Sequence, residues 1–218
     1  MRRVLIGTPS YDGRIDVWFA NSLLATVKKA IEKGIFVHAI YTSYDSLIQR
    51  ARNSLFKLAI EGGYDDLFFI DSDAEWEPDW FFNLLERPEP FVGGALVKKS
   101  DKEGYTVKLI DKDLKWSEDK KIIQVDGVGT GFLKISRFAL EKLWEMSDKY
   151  ISEGEEHRMV CDIKVENGDL ISEDYILCNK WKSLGYKVWL DPTITLNHIG
   201  TKKYKGDFQA FIKKLGYV

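Results

Sequence analysis

The sequence predicts an α/β protein built on a central mixed, mostly parallel sheet flanked by helices. Three observations carry this. Short apolar runs alternate with amphipathic helices through the first hundred residues, glycines stand where those helices should stop, and the run LFFI at 67–70 is apolar throughout, as a strand buried on both faces must be. The 218 residues fit one domain. With 44% hydrophobic and 30% charged residues the chain can bury a core, which excludes disorder, and 32 basic against 34 acidic residues leave no net basic footprint for nucleic acid. The two cysteines lack metal-finger spacing and the start RRVLIG reads as a strand, so a cytoplasmic, reducing location is expected. No apolar stretch is long enough to span a bilayer; action at a membrane would be peripheral.

Val4 to Gly7 reads as the first strand, followed by the turn-rich TPSYDG. Ala20, Leu23, Leu24, Val27, Ala30 and Ile31 recur at helical spacing and Gly34 ends that helix. Phe36 to Tyr41 is the second strand. A second helix carries Leu47, Ala51, Leu55, Leu58 and Ala59 on one face and stops at Gly62 and Gly63; Leu67 to Ile70 is the third, central strand. Pro78 opens a short helix to Leu85, because its missing N–H is no loss there. Phe91 to Val97 is a strand, and the charged stretch 100–121 holds a hairpin around Tyr105 to Ile110. Phe132 to Ser136 is a strand, Phe138 to Met146 a helix, and Ser152 to Asp169 an aperiodic excursion. A helix from Asp174 to Leu184, strands at Lys187 to Leu190 and Thr193 to Asn197, and a helix from Phe208 to Leu215 complete the chain.

Chemistry concentrates at LFFIDSDAEW, where a buried strand delivers Asp71 and Asp73, with Ser72 between them, to its carboxyl end, the edge where open α/β sheets collect ligands. Two carboxylates one residue apart can approach one hard divalent cation; the plain alternative is a capping Asp at a strand-to-helix turn. Far along the chain, LNHIGTKKYKG presents His198, a candidate third ligand that leans the choice toward Mn²⁺ over Mg²⁺, then Gly200, where the backbone can approach a phosphate, and Lys203, which can neutralise one. Alone, such a histidine is more often structural. Gly127, Gly129 and Gly131 do not have dinucleotide-fingerprint spacing, and FLKIS after them reads as strand. Glu173 and Asp174 follow Ser172 at a helix start, where they either complement the helix dipole or act on an acceptor hydroxyl. Trp76 and Trp80 are core residues or sugar platforms; Trp116, among charges, is the better acceptor-side candidate.

Taken in order, VLIGTPSYDG, ARN at 51–53, FFIDSDAEWEP, DGVGTGF, SEDY and NHIG resemble the glycosyltransferases of the GT-A fold, the metal-dependent nucleotide-sugar class, over nearly the whole chain. Small viral and phage-type members resemble it in size. The resemblance implies a nucleotide-binding half at about 1–99 and an acceptor half at about 100–218. It implies that Thr8, Pro9, Ser10 and Tyr11 line the base and ribose pocket and that Arg52 and Asn53 reach the nucleotide. Asp71, Asp73 and His198 would hold Mn²⁺ or Mg²⁺ on the diphosphate, Gly129 and Gly131 would lie where donor sugar and acceptor meet, and Asp174, or else Glu173, would serve as base. The expected reaction is transfer of a hexosyl group from a nucleotide sugar, UDP-linked by preference, to a carbohydrate or glycoconjugate acceptor. Two alternatives stand beside it: a non-catalytic nucleotide-sugar-binding module, and a phosphatase with an aspartate nucleophile, which wants Thr or Val where Glu75 stands.

Overall fold

The structure is a computed structural model and describes residues 1–111, 113–152 and 154–217. Strand β1 (Arg3–Ser10) leads into helix α1 (Val17–Glu32), capped by Asp16, whose carboxylate accepts the Trp18 N–H. Next come β2 (Phe36–Ser43), α2 (Ile48–Glu61) and β3 (Asp66–Ile70); Gly34 and Gly63, just beyond the two helices, take left-handed conformations. β4 (Ala74–Glu75) precedes α3 (Pro78–Glu86) and β5 (Phe91–Leu96). The polar middle forms the short strands β6 (Val107–Lys108), β7 (Lys115–Trp116), β8 (Ile123–Val125) and β9 (Gly127–Val128). β10 (Phe132–Ser136) and α4 (Arg137–Met146) are followed by two hairpins, β11 (Lys149–Ser152) with β12 (Glu155–Arg158) and β13 (Lys164–Glu166) with β14 (Asp169–Ile171). α5 (Glu173–Ser183), β15 (Val188–Ile199), β16 (Lys203–Tyr204) and α6 (Phe208–Lys214) close the chain.

The main sheet runs β2-β1-β3-β10-β5-β15-β8-β7. β2, β1, β3, β5 and β15 point one way, and β10 is inserted antiparallel between β3 and β5. Alternation along β3 assigns its side chains to two cores. Leu67 and Phe69 join Leu55, Leu140 and Trp181 beneath α2, α4 and α5, while Phe68 and Ile70 join Phe19, Phe81 and Leu85 beneath α1 and α3. The result is the expected mixed α/β arrangement with a largely parallel sheet.

Several local readings are corrected. β1 continues through Thr8, Pro9 and Ser10, paired with Tyr41, Thr42 and Ser43, because β3 stops pairing at Gly7 and leaves the missing N–H of Pro9 with no ladder bond to break. Residues 188–199 form one strand with a register shift between Asp191 and Thr195, where the Asp191 carboxylate accepts both the Thr193 N–H and hydroxyl. No local hairpin forms at 105–110: Tyr105 bridges Val97, and β6 pairs with β9. The charged excursion read as aperiodic at 152–169 overlaps the two hairpins, whose strands begin at Lys149 and end at Ile171. Leu24, Ile31 and Leu58, read as core-facing, are exposed.

Candidate functional site

The chain leaves β3 in a turn that separates the two aspartates. Asp71 donates its N–H to the Gly131 carbonyl (3.2 Å), and its own carbonyl accepts from Ala74 (3.0 Å). β4 then pairs with β15, setting Ala74 opposite His198, and the Ile199 N–H reaches the Asp73 carbonyl at 2.8 Å. This ladder brings Asp73 to a histidine 125 residues away, with Nε2 of His198 3.2 Å from Oδ1 of Asp73. The other nitrogen, Nδ1, lies 2.8 Å from the Val97 carbonyl, which can only accept, so Nδ1 carries the proton. In the neutral ring Nε2 is then a lone pair aimed at a carboxylate, a pairing that a shared cation makes favourable. Lys99 binds the second oxygen of Asp73. Without an ion, Nε2 donates to Asp73 only when the ring carries both protons; burial pushes the Asp73 carboxyl up, but the hydrogen bonds from that imidazolium and from Lys99 outweigh it and hold the group below the ordinary aspartate range.

Asp71 belongs to a second cluster. Arg52, on α2 and almost fully buried, donates to Oδ1 of Asp71 at 3.0 Å and to Glu173 at the start of α5. Burial alone would disfavour the guanidinium charge; Asp71 and Glu173 more than compensate. Gly131 permits the approach, because a Cβ there would sit 2.9 Å from Oδ2 of Asp71 and 2.4 Å from Leu96 Cδ2. Asp174 adjoins this cluster but accepts from the Ser172 hydroxyl and the Tyr175 N–H (2.8 Å), and among the described residues it enters no ion pair.

The remaining candidates divide. Thr8, Pro9 and Ser10 are buried in β1, with the Thr8 hydroxyl lacking a hydrogen-bond partner among the described residues and Ser10 donating to the Arg14 carbonyl; Tyr11 is exposed. Asn53 faces the interior: its amide donates to the Cys161 carbonyl (2.9 Å) and accepts its N–H (2.7 Å), clamping the loop before β13. The Ser72 carbonyl accepts from Asp16. Gly129 lies against Thr106, to whose carbonyl its N–H donates, and Gly200 against the stem of Lys99, 3.2 Å from where a Cβ would be. Lys203 is held by Glu75 (2.8 Å), which also accepts from Asn197, and lies over the ring of Trp18. Trp76 is core, its indole N–H on Thr26. Trp116 lines a cleft of about 630 Å³ with Arg87, Asp119 and Asp191, on a strand five places from β3 and away from Asp71 and Asp73. Cys161 and Cys178 are buried free thiols, each pushed up to about 12 by burial, and so are poor ligands or nucleophiles.

Two residues escaped the sequence reading. Lys99 lies in no motif, and only its position beyond β5 hinted at the sheet edge. Tyr44, bulky yet at φ 62°, lines a cleft of about 270 Å³ beside the carboxyl end of β2 with Thr42, Asp45 and Arg50.

Asp73 and His198 supply one carboxylate oxygen and one imidazole lone pair on a common side, with a lysine ammonium already standing as a cation on the same carboxylate. Asp71 faces Arg52 instead, and among the described residues no group of three or more His, Cys, Asp or Glu converges as a metal cage. One carboxylate and one imidazole could hold a divalent cation only with water and substrate phosphates in its remaining positions, and the imidazole departs from the all-oxygen set usual for Mg²⁺.

These features define an α/β protein with a charged cluster at the carboxyl edge of an open sheet. No protein-family model and no curated protein matches the chain. Among solved structures, A197 from STIV is 19% identical with a TM-score of 0.57 over 92% of this chain and 86% of that one, a likeness of fold. A glycosyltransferase involved in the glycosylation of the major capsid of PBCV-1 is 11% identical with a TM-score of 0.37, covering 65% of this chain and 63% of that one. Among the described residues no helix is long and apolar enough to cross a membrane.

Proposed function

We propose that the protein transfers a sugar from a nucleoside-diphosphate sugar, UDP-linked by preference, to the hydroxyl of a carbohydrate or glycoconjugate acceptor. The observation that carries the reading is the meeting of Asp73 and His198 at the carboxyl edge of the sheet, beside the Arg52–Asp71–Glu173 cluster. The local charge supports a divalent ion in the donor complex. Among the described residues the carboxylates of Asp71, Asp73 and Glu173 are ion-paired with the cations Arg52 and Lys99 and, with His198 neutral and Asp174 adjoining, leave an excess of negative charge where a diphosphate would have to sit; a divalent cation would offset it. When bound with the donor, Mn²⁺ or Mg²⁺ would stabilise charge on the departing diphosphate.

In this reading Asp73 and His198 hold the ion and Arg52 fixes Asp71. Glu173 neutralises the buried guanidinium, which leaves Asp174 as the residue to take the proton from the acceptor hydroxyl. The cleft by Tyr44 would receive the nucleoside, and Lys203, paired with Glu75 at the same edge, would help neutralise the diphosphate. The test is a thermal-shift titration with UDP and UDP-sugars, with and without Mn²⁺, on wild type and Asp73→Asn. A Mn²⁺-dependent rise in midpoint for wild type alone supports the reading. Equal rises in both proteins, or none in either, would remove it; binding without slow donor hydrolysis would leave a binding module.

A further inference from the structure

Helix α1 carries more apolar surface than the core uses. Phe19, Leu23 and Ala30 face the sheet, while Lys29 and Lys33 pair with Asp79 and Glu86 of α3 on one flank. Val17, Leu24 and Ile31 remain, seven residues apart on the opposite flank, 64, 68 and 73% exposed. The inner face of α1, Phe19, Leu23 and Ala30, packs on Val4 and Ile6 of β1 and on Val37 and Ala39 of β2, with Phe19 edge-on to Tyr41; with α3 on the Lys29–Lys33 side, the stripe is left on the side of β2. β2 is itself the end of the sheet, paired only with β1 among the described residues. Its eight residues, FVHAIYTS, contain no charge and no proline, the devices that usually protect a free edge.

We propose that this edge joins two copies of the chain, β2 pairing antiparallel with β2 of the second copy while the two α1 stripes pack on the same face. One two-fold axis normal to the sheet satisfies both contacts. α1 lies over the β1–β2 pair, so with strands spaced about 4.8 Å the two α1 axes fall about 10 Å apart, the distance at which helices pack. The 16 residues of α1 and the 8 of β2 have nearly equal lengths, about 24 and 26 Å, so an axis through the middle of β2 passes near Leu24. It sets Leu24 against its counterpart and Val17 against Ile31. A second copy is the occupant that matches, because strand and stripe are both self-complementary about that axis and neither bears a charge that would repel its equal.

Sedimentation of the full chain across a concentration series should show a dimer. The double variant Leu24→Lys/Ile31→Lys, at positions the core does not use, should sediment as single chains at the same concentrations with unchanged far-UV circular dichroism. Leu24→Cys should form a covalent dimer on mild oxidation, because Cys161 and Cys178 are buried. A wild type that stays single at the highest soluble concentration overturns the proposal. So does a dimer that gives no Leu24→Cys crosslink, and this arm decides should the lysine variant misfold.

Discussion

Asp73 meets His198 through one oxygen and Lys99 through the other, so an incoming cation on the His198 side is opposed by the lysine charge on the carboxylate they share. An ion pair this accessible is worth at most about 1 kcal/mol, so Lys99→Met should tighten Mn²⁺ binding to the protein alone by no more than a few-fold. The same change removes a positive charge from beside the diphosphate and should weaken UDP in the presence of Mn²⁺. Paramagnetic titration of free Mn²⁺, with and without UDP, reads both effects; parallel weakening would show that Lys99 does not compete with the ion. Asp174→Asn should lower kcat by about 10²–10⁴-fold with little change in donor affinity, because a base acts chiefly in the transition state. Loss of a charge at a helix start would alter stability by only about 1 kcal/mol, so near-normal turnover would identify Asp174 as a helix-start residue.

At the scale of elements, the site depends on contacts that hold loops to the sheet. The Asn53 amide ties α2 to the backbone of Cys161 through two buried hydrogen bonds. Asn53→Ala leaves an N–H and a carbonyl without partners and should cost about 2–4 kcal/mol in urea unfolding, with faster amide exchange at Cys161. An unchanged midpoint would mean that water replaces the amide. The β9–β10 connection is equally tight: in Gly131→Ala the new methyl would meet Leu96 and Asp71. Overpacking of this kind should cost about 1–3 kcal/mol and move Asp71 off Arg52, seen as weaker nucleotide binding by a protein that still folds.

For the whole molecule, the antiparallel insertion of β10 sets a lysine inside the sheet. Lys134 is 1% exposed and donates to the Arg87 carbonyl at 2.9 Å. Burial depresses its ammonium to about 8 from 10.5, a shift that Asp66 opposes and Arg2 reinforces. That corresponds to about 3 kcal/mol of penalty, a sizeable fraction of a domain's net stability. Below about pH 8 both folded and unfolded chains carry the proton and the penalty is constant; between about 8 and 10.5 the unfolded chain binds more protons, so stability rises with pH. Urea unfolding across that window should show the rise in wild type and lose it in Lys134→Met. Identical pH profiles would mean that the ammonium is solvated.

What the sequence determined by itself is the layered α/β architecture and the edge that carries the charge. LFFI, apolar at every position, had to be buried on both faces, and the helical spacing of Leu55 and Ala59 and the N-terminal Pro78 are local properties that packing did not override. The tertiary structure decided the rest, because it depends on contacts between distant segments. The periodicity of α1 counts Leu24 and Ile31 as core, yet only the sheet order shows that β2 is an edge and that this flank lacks cover. The pairing of β4 with β15 selects His198 for Asp73, and the turn at 71–74 turns Asp71 to Arg52, a division that D-x-D spacing cannot express. Asn53, adjacent to Arg52 in ARN, points inward for the same reason: neighbours on a helix are rotated by about 100°, so only one of the two can face the site.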